Sequence, residues 1–210
     1  KFEDIIKIID KIKPVNGRLE QVGFLKNKSR IILDYAHTPD ALRACLKCLK
    51  EQFKDKKISI VFGCGGNRDK SKRSMMGKIV NKYCDKIYLT DDNPRYESPQ
   101  KIRSTIKKNI NKLNFFEIPN RSKAIKKAIL DLNVGEVLIV AGKGHENIQD
   151  YGKNKKFFSD KQKIKESIKN KNKNLSNNIK INILKEMSKS KDISLKTKIN
   201  DASINSKEIK

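Results

Sequence analysis

Side chains able to do chemistry gather in four short strings: DYAH at 34–37, GCGGNRDKSKR at 63–73, DDNPR at 91–95 and GKGHE at 142–146. DDNPR sets two carboxylates, an amide and a guanidinium on five residues. A zwitterionic amino-acid head needs that mixture: Arg for its carboxylate, Asp for its ammonium, Asn for either. The same string also reads as an Asx-Pro turn carrying surface charge. GCGGNRDKSKR is a glycine turn that exposes the Arg68 guanidinium beside a helix start, both suited to an anionic group. A dinucleotide fingerprint would want a third small residue where Arg68 stands, so a nicotinamide site is a near miss. GKGHE offers two glycines for close backbone approach, then Lys143, His145 and Glu146. No GxxxxGK[ST] phosphate loop occurs anywhere in the chain. His37 and His145, the two histidines, both fall in these strings. The CxxC of Cys45 and Cys48 sits among leucines with no second ligand pair, which reads as core packing and not as a zinc site.

The elements that must carry these strings alternate between two periods. RIILDYA (30–36), KISIVFG (57–63), KIYLT (86–90), NFFEI (114–118) and EVLIVAG (136–142) are short apolar runs that read as buried strands. Between them lie helical patterns: 38–53, with Thr38 as N-cap and Pro39 at the first helical position; about 74–84; 98 to about 111; and 121–132. GKGHENIQDYGKNKKFFSD (142–160) reads as a loop with a short polar hairpin, and a helix over 160–169 follows. Alternation of this kind predicts an α/β fold, Rossmann-like, with a mainly parallel sheet flanked by helices. In such sheets ligands bind beyond the carboxyl ends of the strands. Each of the four strings sits at such an end. Phe2, Ile5, Ile9 and Ile12 form one face of a further helix that Pro14 closes. Past residue 170 periodicity is lost, and NKNKNLSNN begins a poorly structured polar tail.

Composition bounds the partners. Lys and Arg total 49 against 24 acidic residues, a formal charge of +25, over 210 residues. A basic nucleic-acid-binding module is the competing reading of that charge. Lysine, however, is spread through every segment, and aromatics do not interleave with it as a base-stacking surface requires. Lys, Ile and Asn share A/T-rich codons, so skewed base composition accounts for the excess, and no specific nucleic-acid partner is expected. Only eight of the 49 basic residues are Arg. Where lysine so outnumbers it, a retained Arg marks a place that needs a planar fork; Arg18, Arg68, Arg73, Arg95 and Arg121 lie in or beside the motifs. No apolar run nears the ~20 residues of a membrane helix. The amphipathic N-terminus is unlike a secretion signal, so a cytoplasmic protein with reduced thiols is expected.

Taken together, the strings resemble the Mur ligase family, and within it the branch that adds diaminopimelate. The resemblance rests on GRLE (17–20), DYAHTPDAL (34–42), VFGCGGNRDKSKR (61–73), TDDNPR (90–95) and LIVAGKGHE (138–146), in that order, with FFSDKQ (157–162) beyond them. It implies an ATP-dependent amide-bond ligase of peptidoglycan synthesis joining meso-diaminopimelate to UDP-N-acetylmuramoyl-L-alanyl-D-glutamate through an acyl phosphate. A lysine-adding or other Mur-type ligase is the nearest alternative. The resemblance implies that Arg68, Asn93 and Arg95, set by Pro94, hold the distal carboxylate of the amino acid. Asp92, Glu146 and the Gly142 backbone take its distal ammonium. Arg18 and Asp34, with His37 beside them, face the nucleotide. ATP and Mg²⁺ belong mainly to domains outside this chain, and no metal site is expected within it. Residues 1–13 resemble the end of a central ATPase domain, 14–169 the C-terminal domain, and 170–198 a linker. Residues 199–210, with Ser206-Lys207, resemble the start of a following Mur ligase N-terminal domain and read equally as a Lys/Asn-rich tail. Such a piece alone is expected to be inactive, its partners being its own central and N-terminal domains.

Overall fold

A computed structural model describes residues 15–177 and residue 181. The expected helix over 2–12, most of the expected linker and the 199–210 segment lie outside the described residues. Residues 1–171 form one compact unit, and 172–210 a second.

Among the described residues, eight strands and five helices follow in order: β1 (Glu20–Phe24), β2 (Arg30–Asp34), α1 (Pro39–Gln52), β3 (Ile58–Phe62), α2 (Ser71–Tyr83), β4 (Lys86–Leu89), α3 (Pro99–Lys107), β5 (Phe115–Glu117), α4 (Arg121–Leu130), β6 (Val137–Ala141), β7 (Ile148–Tyr151), β8 (Asn154–Phe157) and α5 over 160–177. Six strands form one sheet in the order β1-β2-β6-β3-β4-β5, and β7 and β8 pair as a separate antiparallel hairpin. Every pairing in the large sheet is parallel except β1 with β2. The mainly parallel sheet is as expected. The antiparallel edge strand β1 is an addition: EQVGF is half-exposed and lacks the apolar run that marks the other strands.

Strand alternation divides the core. Ile32, Ile60, Phe62, Ile87, Leu89 and Ile139 point to one face, where Leu42, Leu46 and Leu49 of α1, Met76, Ile79 and Val80 of α2, and Ile102 and Ile106 of α3 cover them. Ile31, Leu33, Val61, Tyr88, Leu138 and Val140 point to the other, against Ala124, Ile125, Ala128 and Ile129 of α4 and Ile164 of α5. Burial on both faces explains why β2, β3 and β6 are almost uninterrupted apolar runs. The helices start where side chains satisfy their first amides. Thr38 accepts from Ala41 N, Ser98 from Lys101 N and Asn120 from Lys123 N, with Pro39 and Pro99 at the first turns. α2 begins three residues before the expected start at 74, because Asp69 Oδ1 takes both the amide and the hydroxyl of Ser71.

α5 continues to 177, into the stretch expected to be linker. Lys171 gives the reason. Its ammonium is buried and donates to the carbonyls of Ile129 (3.0 Å), Leu130 (2.9 Å) and Leu132 (2.5 Å), closing the C-terminus of α4. A cation at the negative end of a helix is favourable there. Burial still holds its pKa below the usual lysine range.

Candidate functional site

Because β6 lies between β2 and β3, the loops after β2, β3, β4 and β6 meet at one edge of the sheet. They enclose a cavity of about 640 Å³. Of the expected site residues, His37, Arg68, Asp92, Asn93, Arg95, Gly142 and Glu146 line it; Arg18, Asp34 and Pro94 do not.

The loop after β4 forms the inner wall, and the glycine loop after β3 is shaped to receive it. A Cβ on Gly66 would stand 1.9 Å from the Pro94 carbonyl oxygen, and one on Gly63 would stand 2.3 Å from that of Thr90. Gly66 N donates to Asn93 O at 2.9 Å. The glycines of the expected turn thus serve loop-on-loop packing, and the turn leaves the Arg68 guanidinium exposed. Arg73 locks the pair: its buried guanidinium reaches both Glu97 oxygens at 3.0 Å, and Glu97 also accepts from Asn67 N. That amide, with Arg73, keeps the Glu97 carboxyl below its usual range. From the other side the hairpin supports the wall. Gln149 Nε2 donates to Asp92 O at 3.0 Å, and Tyr151 OH to Asp91 Oδ2 at 3.0 Å.

The charged groups of the cavity separate into acceptors and donors. Asp92 is 8% exposed; its Oδ1 accepts from Asn93 N at 2.7 Å, and its Oδ2 accepts nothing among the described residues. That free oxygen lies over Gly142, where a Cβ would come within 2.9 Å and φ is +111°. Gly142 N is spent on Asp34 O, so its carbonyl is the group left to meet an ammonium. Arg95, with φ of +54°, donates from Nη1 to Gly66 O at 2.8 Å. Its Nη2 has no partner among the described residues. Arg68 is exposed and makes one long hydrogen bond, 3.4 Å, to Asn67 O. An uncommitted carboxylate oxygen and two guanidiniums with uncommitted N–H groups thus share one cavity.

Asn93 lines the cavity with most of its amide already committed. Its Oδ1 accepts from Lys143 Nζ at 2.9 Å and Asp150 N at 3.0 Å, and its Nδ2 donates to Glu146 Oε2 at 3.1 Å. The amide is built into the wall, with one N–H left over. Asp34 is also turned inward: Oδ1 accepts from Ala36 N and Oδ2 from Leu19 N, each at 2.7 Å. Arg18 lies exposed with its guanidinium 4.7 Å from the Tyr35 ring centroid. His37, also exposed, has Nδ1 2.9 Å from Tyr35 O.

Two residues went unassigned in the sequence. Tyr35 donates to Glu146 Oε1 at 3.3 Å, and burial, then the Glu146 carboxylate, holds its phenol above the ordinary range. Lys143 is fully buried beside Asn93 and Glu146. Tyr35 sits in DYAH, so its string was visible; a single lysine has no contrast in so lysine-rich a chain. Arg103, which pairs with Asp91 and Glu117, and Arg121, bidentate to Asp160 at 2.8 and 2.7 Å, use their forks inside the fold and not in the cavity. Cys64 is likewise structural, its thiol pushed up to about 12 by burial. Cys45 is buried as expected, whereas Cys48 of the same CxxC is exposed.

The family described as "Mur ligase, glutamate ligase domain" matches residues 17–144. The UDP-N-acetylmuramoyl-L-alanyl-D-glutamate--2,6-diaminopimelate ligase of Rickettsia rickettsii is 48% identical over 168 residues, covering 80% of this chain and 34% of that protein. A solved structure of a ligase of the same description is 33% identical, with a TM-score of 0.68, and is matched over 80% of this chain and 34% of its own. The UDP-N-acetylmuramate-alanine ligase of Thermotoga maritima, 19% identical with a TM-score of 0.55 over 83% of this chain and 33% of its own, shares the fold. The chain spans about a third of the length of the curated relatives it matches. With the family match running over more than half of its residues, this chain belongs to the Mur ligase family.

Proposed function

We propose that this chain supplies the amino-acid-binding part of an ATP-dependent ligase that joins meso-diaminopimelate to UDP-N-acetylmuramoyl-L-alanyl-D-glutamate in peptidoglycan synthesis. One observation carries the reading: the free Asp92 Oδ2 faces the same cavity as the uncommitted N–H groups of Arg68 and Arg95. Meso-diaminopimelate ends in an ammonium and a carboxylate on one carbon, which this pairing matches. Asp92, Glu146 and the Gly142 carbonyl would receive the ammonium, and Arg68 and Arg95 the carboxylate. Asn93 would orient Glu146 and offer its remaining N–H. Lysine has no second carboxylate and would leave both guanidiniums unanswered.

Holding the distal head fixes the direction of the other end. The free amine of the bound amino acid then emerges from the cavity mouth, oriented toward an activated carboxyl of the acceptor peptide. On this reading the enzyme works in the cytoplasm, on a UDP-linked precursor and together with its own central and N-terminal domains. ATP, with Mg²⁺, would supply the phosphoryl group that activates the acceptor's carboxyl. The residues of this chain do not fit that pair: no phosphate loop occurs in the sequence, and no group of three metal-ligating side chains occurs among the described residues. Arg18, exposed at the outer rim, can meet a single phosphate.

Calorimetric titration of the 210-residue chain tests the reading. Meso-diaminopimelate is expected to bind at least about tenfold tighter than L-lysine, since charged hydrogen bonds contribute about 1.5–3 kcal/mol each. Equal affinities, or a preference for lysine, overturn it.

A further inference from the structure

Lys143 is fully buried although it directly follows Gly142 on the cavity wall. Its ammonium donates to Asn93 Oδ1 at 2.9 Å, Glu146 Oε2 at 3.3 Å and the Ile148 carbonyl at 2.6 Å. A buried charge is costly unless paired and hydrogen-bonded, and here both conditions are met. Its ionic partner is not buried with it: the Glu146 side chain is 35% exposed. The salt bridge therefore has a dry cationic end behind the wall and an anionic end in the cavity.

We propose that Lys143 is a specificity-determining positioning residue: it sets the charge balance and the amide orientation that favour a zwitterionic head over a lone ammonium. The inference rests on the amino-acid-binding reading given above. Lys143 and Asp150 N both donate to Asn93 Oδ1, which forces Nδ2 toward Glu146 and fixes that carboxylate from one side while Tyr35 fixes it from the other. A positive charge buried behind the wall is weakly screened, so it repels any net cation entering the cavity. A head bearing both ammonium and carboxylate is neutral overall and to first order does not feel it. A lone ammonium feels it fully. Without the Lys143 charge, the balance around Asp92 and Glu146 shifts by one unit toward the acidic pair, with only the cavity's own guanidiniums of Arg68 and Arg95 to offset it, and a simple cation is drawn in more readily.

The test uses the 210-residue chain, wild type and Lys143→Met, each titrated separately with meso-diaminopimelate and with L-lysine. Met keeps the length and apolar stem of the side chain without its charge. The affinity ratio of diaminopimelate to lysine is expected to fall about tenfold or more. If both ligands weaken together and the ratio stays within about twofold, Lys143 merely supports the fold and the proposal is overturned. Should Lys143→Met fail to fold, Glu146→Gln reads the same balance from the other side. It leaves the buried cation uncompensated, so the ratio must rise, and an unchanged or lower ratio rejects the inference. A wild-type chain with no preference between the ligands would instead sink the functional reading itself, which separates the two failures.

Discussion

Gly66 and Pro94 approach so closely that a Cβ on the glycine would stand 1.9 Å from the proline carbonyl oxygen. The loop that carries Arg68 and the loop that carries Asp92 and Arg95 are thus seated on each other through backbone. No side chain at position 66 can be accommodated without parting them. Gly66→Ala is expected to cost about 1–3 kcal/mol of stability, the range for overpacking. It should also weaken amino-acid binding, although residue 66 supplies no ligand contact. Denaturation and calorimetry on the same variant check both effects; intact affinity would show the seating to be dispensable.

Asp92→Ala and Arg95→Ala are expected to raise the dissociation constant for meso-diaminopimelate by about 10- to 100-fold each, the loss of one charge-assisted hydrogen-bond set. Arg95→Lys should recover little, because an ammonium cannot reproduce a fork that holds Gly66 O with one nitrogen while offering another to the ligand. Affinity unchanged in all three variants would remove these residues from the site.

Asp160→Asn should destabilise the chain by about 3–5 kcal/mol, since it leaves the buried Arg121 guanidinium without its counter-charge. Arg121 Nε and Nη2 are committed to Asp160, and Nη2 also to Ala141 O, at the end of β6. Urea denaturation measures the loss. A change under about 1 kcal/mol would mean that the pair contributes no more than a surface bridge.

Acid should loosen the edge of the sheet opposite the cavity. Burial alone would raise the Glu136 carboxyl, but hydrogen bonds from Asn133 and Lys86 outweigh it and hold it below the usual carboxylate range. Its contribution to stability is therefore complete above about pH 4.5 and is lost as the pH falls through its lower, folded-state value. Glu136→Gln should flatten that part of the curve of stability against pH between pH 5 and 3, roughly the carboxylate range. An identical acid limb in the variant would refute the assignment.

Much of this architecture can be read from the residues because burial on two faces leaves so plain a trace. IILD, ISIVF and VLIVA are short, β-branched and apolar, which favours buried strands, and the strings that follow them meet in space as the rule for parallel sheets requires. What stayed hidden has physical reasons. EQVGF mixes polar and apolar residues at a sheet edge and so imitates a loop. The final turns of α5 contain no apolar period, and their continuation turns on Lys171 reaching carbonyls some forty residues earlier in the chain. Within the site, Arg68, Asp92, Arg95 and Glu146 converge as their types implied. The inward commitment of Asn93 is a property of three partners distant in sequence, and spacing along the chain carries no mark of it.

Asp34 joins the outer rim to the inner wall. Through its carboxylate it grips the turn that carries Arg18, and through its carbonyl it grips Gly142. A pull on the rim is therefore a pull on the floor beneath Asp92. The lever between the turn that carries Arg18 and the glycine beneath Asp92 is only one residue long, and no helix stands in it.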